Sequence, residues 1–101
     1  MVDELYLDEP LSFWGGLDPA TGNIVDTHHP QQGESIAGRR LVLPGTRGST
    51  SSTGVLVEAL RLGNGPVEIV MPAPDLTVLA AVTVARRLYG IDVPVRIEPD
   101  G

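Results

Sequence analysis

The residues best able to do chemistry stand together in one stretch: Arg47, Gly48, then five hydroxyl side chains in a row, Ser49 to Thr53. Such a loop offers hydroxyls and unpaired backbone N–H groups to an anion when it leads into a helix N-terminus. Arg47 adds a planar, permanently charged fork that suits a carboxylate or a phosphate. The flanking pattern supplies elements to position these groups. Leu41-Val42-Leu43 is a short apolar run fit for a buried strand, and Pro44-Gly45 ends it, because proline has no N–H to donate. From Val55 the apolar positions fall at 55, 56, 59, 60 and 62, which is helical spacing. The same residues also compose an ordinary capped turn, since serine and threonine are common N-caps. Five hydroxyls are nevertheless more than a cap uses.

Around this stretch the chain reads as alternating strands and helices. Gly63-Asn64-Gly65-Pro66 stops the first helix, Val67–Met71 reads as a strand, and Pro72-Ala73-Pro74-Asp75 forms a stiff turn with a good N-cap. Leu76–Leu88 reads as a second helix with Arg86-Arg87 at its C-terminal end, where positive charge suits the helix dipole. Gly90 ends it, and Val93–Ile97 reads as a last strand. Strand–helix–strand–helix–strand implies a parallel βαβαβ unit with right-handed crossovers, and ligands then sit beyond the carboxyl ends of the strands, at the 44–54 loop.

The first half is β-rich. Residues 1–10 read as an N-terminal arm or edge strand. Leu11–Trp14 is apolar and aromatic, Asp18-Pro19-Ala20-Thr21-Gly22 is a turn signature, and Asn23–Asp26 returns as a strand paired with 11–14. Trp14, the single tryptophan, either packs in the core or lines a cleft. His28-His29-Pro30 lacks the further ligands that a metal site would need, so its histidines read as structural or solvent-exposed.

Composition narrows the classes further. The 101 residues fit one domain, and the net charge of −6 argues against a nucleic-acid backbone binder. All seven basic residues are arginine, as suits a GC-rich genome. Without cysteine the chain cannot ligate an iron–sulfur cluster through thiolates, form a disulfide or use a thiol nucleophile. No run is long enough for a membrane helix and the N-terminus does not resemble a signal peptide, so a cytoplasmic location is expected.

Three ordered blocks carry a resemblance: Leu11 to Gly22, then Ser35-Ile36-Ala37-Gly38-Arg39, then Arg47-Gly48-Ser49-Thr50. They resemble the aconitase X swivel domain family, and Pro74-Asp75 and Ala85-Arg86-Arg87-Leu88-Tyr89-Gly90 continue the likeness. The resemblance implies an α/β chain: a swivelling β/β/α domain of the aconitase type with a βαβαβ second half, over residues 11–97, before a short tail at 98–101. It implies the small subunit of a hydro-lyase, or dehydratase, that is inactive without its large subunit. The heterodimer's large subunit would carry the iron–sulfur cluster, and this chain would bind no cofactor. Archaeal members are phosphomevalonate dehydratases and bacterial ones include cis-3-hydroxy-L-proline dehydratases, so the substrate stays open between those hydroxy acids.

By the same resemblance Ser49 is the proton acceptor, with Arg47, Gly48, Thr50, Ser51 and Ser52 as substrate-binding residues. No metal site, nucleic acid or membrane partner is expected. Two departures stand out. The family's chains open with a further early strand; either that strand is dispensable, or the sheet has an open edge and stability suffers. Many members also carry Gly-Ser where this chain has Ser52-Thr53. The alternative reading is a stand-alone domain that binds an anion or a small molecule and has kept the swivel fold without catalysis.

Overall fold

The alternation of Leu5 and Leu7, Leu41 and Leu43, Ile69 and Met71 decides the architecture, because period-two apolar residues put one face of each strand into a core. The structure, a computed structural model, describes residues 3–48 and 51–99. Strand β1 (Glu4–Tyr6) is followed by a four-residue turn, α1 (Phe13–Gly16), and by the short strands β2 (Leu17–Asp18) and β3 (Asn23–Ile24). Then come β4 (Arg40–Val42), helix α2 (Ser51–Arg61), β5 (Glu68–Met71), helix α3 (Leu76–Tyr89) and β6 (Val95–Ile97).

Four strands form a sheet in the order β1-β4-β5-β6, and every neighbouring pair in it is parallel. Leu5, Leu41, Ile69 and Val95 lie in register across the sheet. The first three of these are buried, and they join Leu56, Ala59 and Leu60 of α2 and Val78, Ala81 and Ala85 of α3 in one core. The two helices also pack on each other. The small alanines of α3 let it come close. Parallel β–α–β connections with both helices on one face are what the sequence pattern called for, and β2–β3 adds the second β element. The α/β swivelling β/β/α expectation therefore holds, and β1 is an edge strand of the sheet.

The opposite face carries charge. Arg40 lies within 3.2 Å of Glu4, 3.4 Å of Glu68 and 3.7 Å of Glu98, and Arg96 reaches Glu68 and Glu98 at 3.7 and 3.2 Å. Solvent-facing pairs of this kind add little each, about 0–1 kcal/mol. They keep the face soluble, while burial on the other side does most of the stabilising.

Two expectations are corrected. The antiparallel pair is β2 with β3, Leu17 opposite Ile24, and not 11–14 with 23–26. The turn explains this: Asp18 accepts through its carbonyl from the Thr21 and Gly22 N–H groups, and through its carboxylate from Ala20 N–H. Such a tight turn pairs the residues immediately beside it. Leu11 instead bridges in parallel to Thr46. The first helix also starts at Ser51, four residues before Val55, so it takes in hydroxyl residues expected in the loop.

Leu41 is fully buried at the centre of the sheet, whereas Leu88 is exposed at the end of α3. Urea unfolding of Leu41→Ala is expected to show a loss of about 2–5 kcal/mol. Leu88→Ala should change stability by no more than about 0.5 kcal/mol.

Candidate active site

Three segments converge between the carboxyl end of β4 and the N-terminal end of α2. The first is the loop itself. Thr46 is held from both its backbone and its side chain: its N–H donates to Asp75 Oδ2 at 2.9 Å, and its hydroxyl lies 3.0 and 2.9 Å from the two oxygens of the same carboxylate. Asp75 is also the N-cap of α3, accepting from Val78 N–H. One side chain thus fastens the β4–α2 loop to the β5–α3 corner. Burial works against the charge of this carboxylate, but the hydrogen bonds from the Thr46 N–H and hydroxyl and from the Val78 and Thr77 N–H groups outweigh it. They hold the Asp75 carboxyl below the ordinary aspartate value of 3.8. The sequence marked Asp75 as a cap; its grip on Thr46, 29 residues away, is a tertiary contact that no local pattern announces.

The second segment is 11–14. Leu11 N–H donates to the Gly45 carbonyl and Arg47 N–H to the Leu11 carbonyl, which lays the aromatic turn alongside the loop. Trp14 (φ −72°, ψ 117°) and Gly15 (φ 80°, ψ −15°) are the central residues of a type II turn, which needs a positive φ at its second position. The third segment is the first turn of α2. Ser52 is 1% exposed, and its hydroxyl accepts from Trp14 N–H at 3.2 Å.

Of the residues singled out in the sequence, Ser49 and Thr50 lie outside the described residues. Arg47 is exposed, and its guanidinium approaches Glu9 at 3.6 Å. Gly48 has φ +107°, a backbone conformation that favours glycine, and a Cβ there would stand 2.8 Å from Ser12 Oγ, which would have to turn away. Ser51 is exposed at the start of α2. The Ser52 side chain faces inward, where its hydroxyl is a strut for the aromatic turn. The helical stripe explains this, since Ser52, Leu56, Ala59 and Leu60 fall at i, i+4, i+7 and i+8 on the buried face of α2. Counting back one turn from Leu56 would have found it.

Trp14 is 63% exposed, which rules out the core-packing reading. A cavity of about 530 Å³ opens at the carboxyl ends of the parallel strands, lined among others by Val42, Leu43, Val70 and Met71, with Asp8 and Glu98 at its rim. Pro44 borders it, but Arg47, Gly48, Ser51 and Ser52 do not line it. The apolar hollow and the hydroxyl loop are therefore neighbouring features.

His29 is buried and structural. Its Nδ1 accepts from Gln31 N–H at 3.0 Å, leaving Nε2 to donate to the Glu9 carbonyl at 3.1 Å. Among the described residues no cluster of three or more His, Asp or Glu side chains could hold a metal, and no helix is long and apolar enough to cross a membrane. With no cysteine in the sequence, the residues present do not fit an iron–sulfur cluster.

Asp75→Asn keeps the shape but removes the charge that four donors address. At neutral pH it is expected to cost about 1–2 kcal/mol, the scale of a lost cap. Because the folded-state pKa lies below the unfolded one, the wild type's advantage is complete above the ordinary aspartate range and fades as pH falls through the depressed value. Thermal melts of both proteins between neutral and strongly acidic pH check this; an unchanging gap would contradict it.

Comparison with known proteins fits this geometry. Over 91 residues the chain is 40% identical to a cis-3-hydroxy-L-proline dehydratase of Pseudomonas aeruginosa, covering 90% of this chain and 16% of that protein. Over 70 residues it is 49% identical to a phosphomevalonate dehydratase small subunit of Methanopyrus kandleri, covering 69% of this chain and 52% of that one. The chain thus spans only part of the length of each relative. Among solved structures it is similar to the holo form of Thermococcus kodakaraensis aconitase X, with a TM-score of 0.81, 29% identity, and coverage of 91% of this chain and 67% of that chain. A neighbour solved by NMR in solution gives a TM-score of 0.76 at 30% identity, covering 95% of this chain and 68% of that one. Residues 3–100 match the aconitase X swivel domain, and the chain belongs to that family.

Proposed function

We propose that this chain is the swivel part of an aconitase-X-type hydro-lyase that dehydrates a hydroxy acid. In this reading it supplies Ser49 as proton acceptor to a large subunit in a heterodimer. The observation that carries the reading is the tethered loop: the family's Arg47-Gly48-Ser49-Thr50 block begins one residue after Thr46, which Asp75 grips, and ends one residue before Ser51, where α2 begins. The named relatives are dehydratases or their small subunits, which supports the same reaction class. Their substrates, cis-3-hydroxy-L-proline and 5-phosphomevalonate, are the two candidates for this chain.

The chemistry asks for what this loop offers. Dehydration removes a proton from a carbon beside a carboxylate while the hydroxyl departs. A serine hydroxyl takes such a proton only as its alkoxide, which needs positive potential around it. The N-terminal end of α2, with no acidic residue in its first turn, supplies partial positive charge. Arg47 can add a full one. Its contact with Glu9 at 3.6 Å joins two half-exposed side chains and holds it by no more than about 1 kcal/mol, so a carboxylate or phosphate can recruit it. Gly48 brings the backbone close without a side chain in the way, and Ser51 and Thr50 complete the anion contacts. The iron–sulfur cluster implied by the family would sit in the large subunit and supply the Lewis acid for the leaving hydroxyl.

The isolated chain is expected to turn over neither acid, and activity should appear on mixing with the large subunit. In that complex, Ser49→Ala should lower kcat by roughly two orders of magnitude or more, the scale of a lost general base. Ser51→Ala should act on KM instead. Equal losses of kcat in both variants, or near-normal turnover by Ser49→Ala, would refute the assignment.

A further inference from the structure

Trp14 is a large apolar side chain beside the loop that stays exposed. Its neighbours are deep in the core: Leu11 and Phe13 are fully buried and Gly16 is buried, yet the indole between them is 63% exposed. A lone exposed apolar side chain is unremarkable when its backbone is free to drift. This backbone is clamped at both ends of the residue. Trp14 N–H donates to the buried Ser52 hydroxyl at 3.2 Å, and the Trp14 carbonyl accepts from Ser12 Oγ at 2.9 Å. The type II turn through Gly15 (φ 80°) fixes the direction in which the chain leaves.

One half of the clamp comes from the turn itself, through Ser12, and the other from α2, through Ser52. Ser52 is the second residue of α2, and the Ser12 hydroxyl that holds the Trp14 carbonyl lies so close to Gly48 that a Cβ added there would meet it at 2.8 Å. With the Leu11 bridge to Thr46, the aromatic turn is hydrogen-bonded both to residues 45–47 and to the first turn of α2. Rigidly presented aromatic side chains on loops mark binding rather than packing.

The substrate class says what such a ring would bind. A hydroxy acid brings a carboxylate, in one case a phosphate, and a hydrocarbon skeleton. Arg47 and the backbone N–H groups suit the charges, but the hydrocarbon needs an apolar surface to exclude water while a proton leaves carbon. We propose that the Trp14 indole is that surface: a substrate-positioning wall that packs on the carbon skeleton when the large subunit closes over this end of the domain. The inference rests on the dehydratase reading and deepens it.

Because Trp14 is the single tryptophan, 5-fluorotryptophan labels it alone when this chain is expressed separately and mixed with an unlabelled large subunit. The substrate is cis-3-hydroxy-L-proline or 5-phosphomevalonate, whichever the complex turns over. The fluorine resonance should move on addition of that substrate to the assembled complex and saturate near its KM. Trp14→Ala should raise KM roughly tenfold or more, and Trp14→Phe should restore most of it. A resonance that moves on assembly but not on substrate addition would show a subunit contact and overturn the proposal, as would an unchanged KM in Trp14→Ala. A complex that dehydrates neither acid would overturn the dehydratase reading and this inference with it. An active complex with an unmoved resonance would overturn the inference alone.

Discussion

The carboxylate of Asp75 is the constraint on which the functional end of this domain depends. It closes the N-terminus of α3 and takes both the N–H and the hydroxyl of Thr46. Four donors compensate the cost of partly burying a charge, which is why the group remains ionised below its usual range. From that fixed point the loop runs through Arg47 and Gly48 towards α2 and is braced on its other side by Leu11, which bonds to Gly45 and Arg47. Removing the carboxylate would free a helix end and the root of the loop together.

The contrast with Arg47 is informative. Its nearest acid, Glu9, is 3.6 Å away and half exposed, so solvent and salt weaken the pair. The loop's root is therefore tied at Asp75, while its exposed cation is held only weakly. Backbone donors bind an anion best when preorganised, whereas a long cationic side chain can follow its anion.

Much of this was legible in the sequence. Apolar runs at 41–43, 67–71 and 93–97, separated by two helical periods, could hardly be anything but a parallel α/β unit, and the described strands and helices follow that order. Asp75 was readable as a cap because a proline-stiffened turn precedes it. What stayed hidden was tertiary. The Asp75–Thr46 contact spans 29 residues. The pairing of β2 with β3 depended on the tightness of the turn at Asp18, which shifted the partner of 23–24 from 11–14 to 17–18. Ser52 reads as a loop residue if the helix begins at its first aliphatic side chain, whereas the hydroxyl residues at 51–53 open it. Trp14 left two readings open, since an aromatic amid buried neighbours looks like core until the turn that flips it outward is known.

The central claim is that this loop holds the base. Solvent deuterium exchange at the substrate carbon beside the carboxylate tests it most directly, followed in the assembled complex during the first turnovers and read on recovered substrate. The account predicts that the wild-type complex washes deuterium into that position and that Ser49→Ala abolishes the exchange while still binding the substrate. Equal exchange in both complexes would place the proton acceptor on another group and contradict the account.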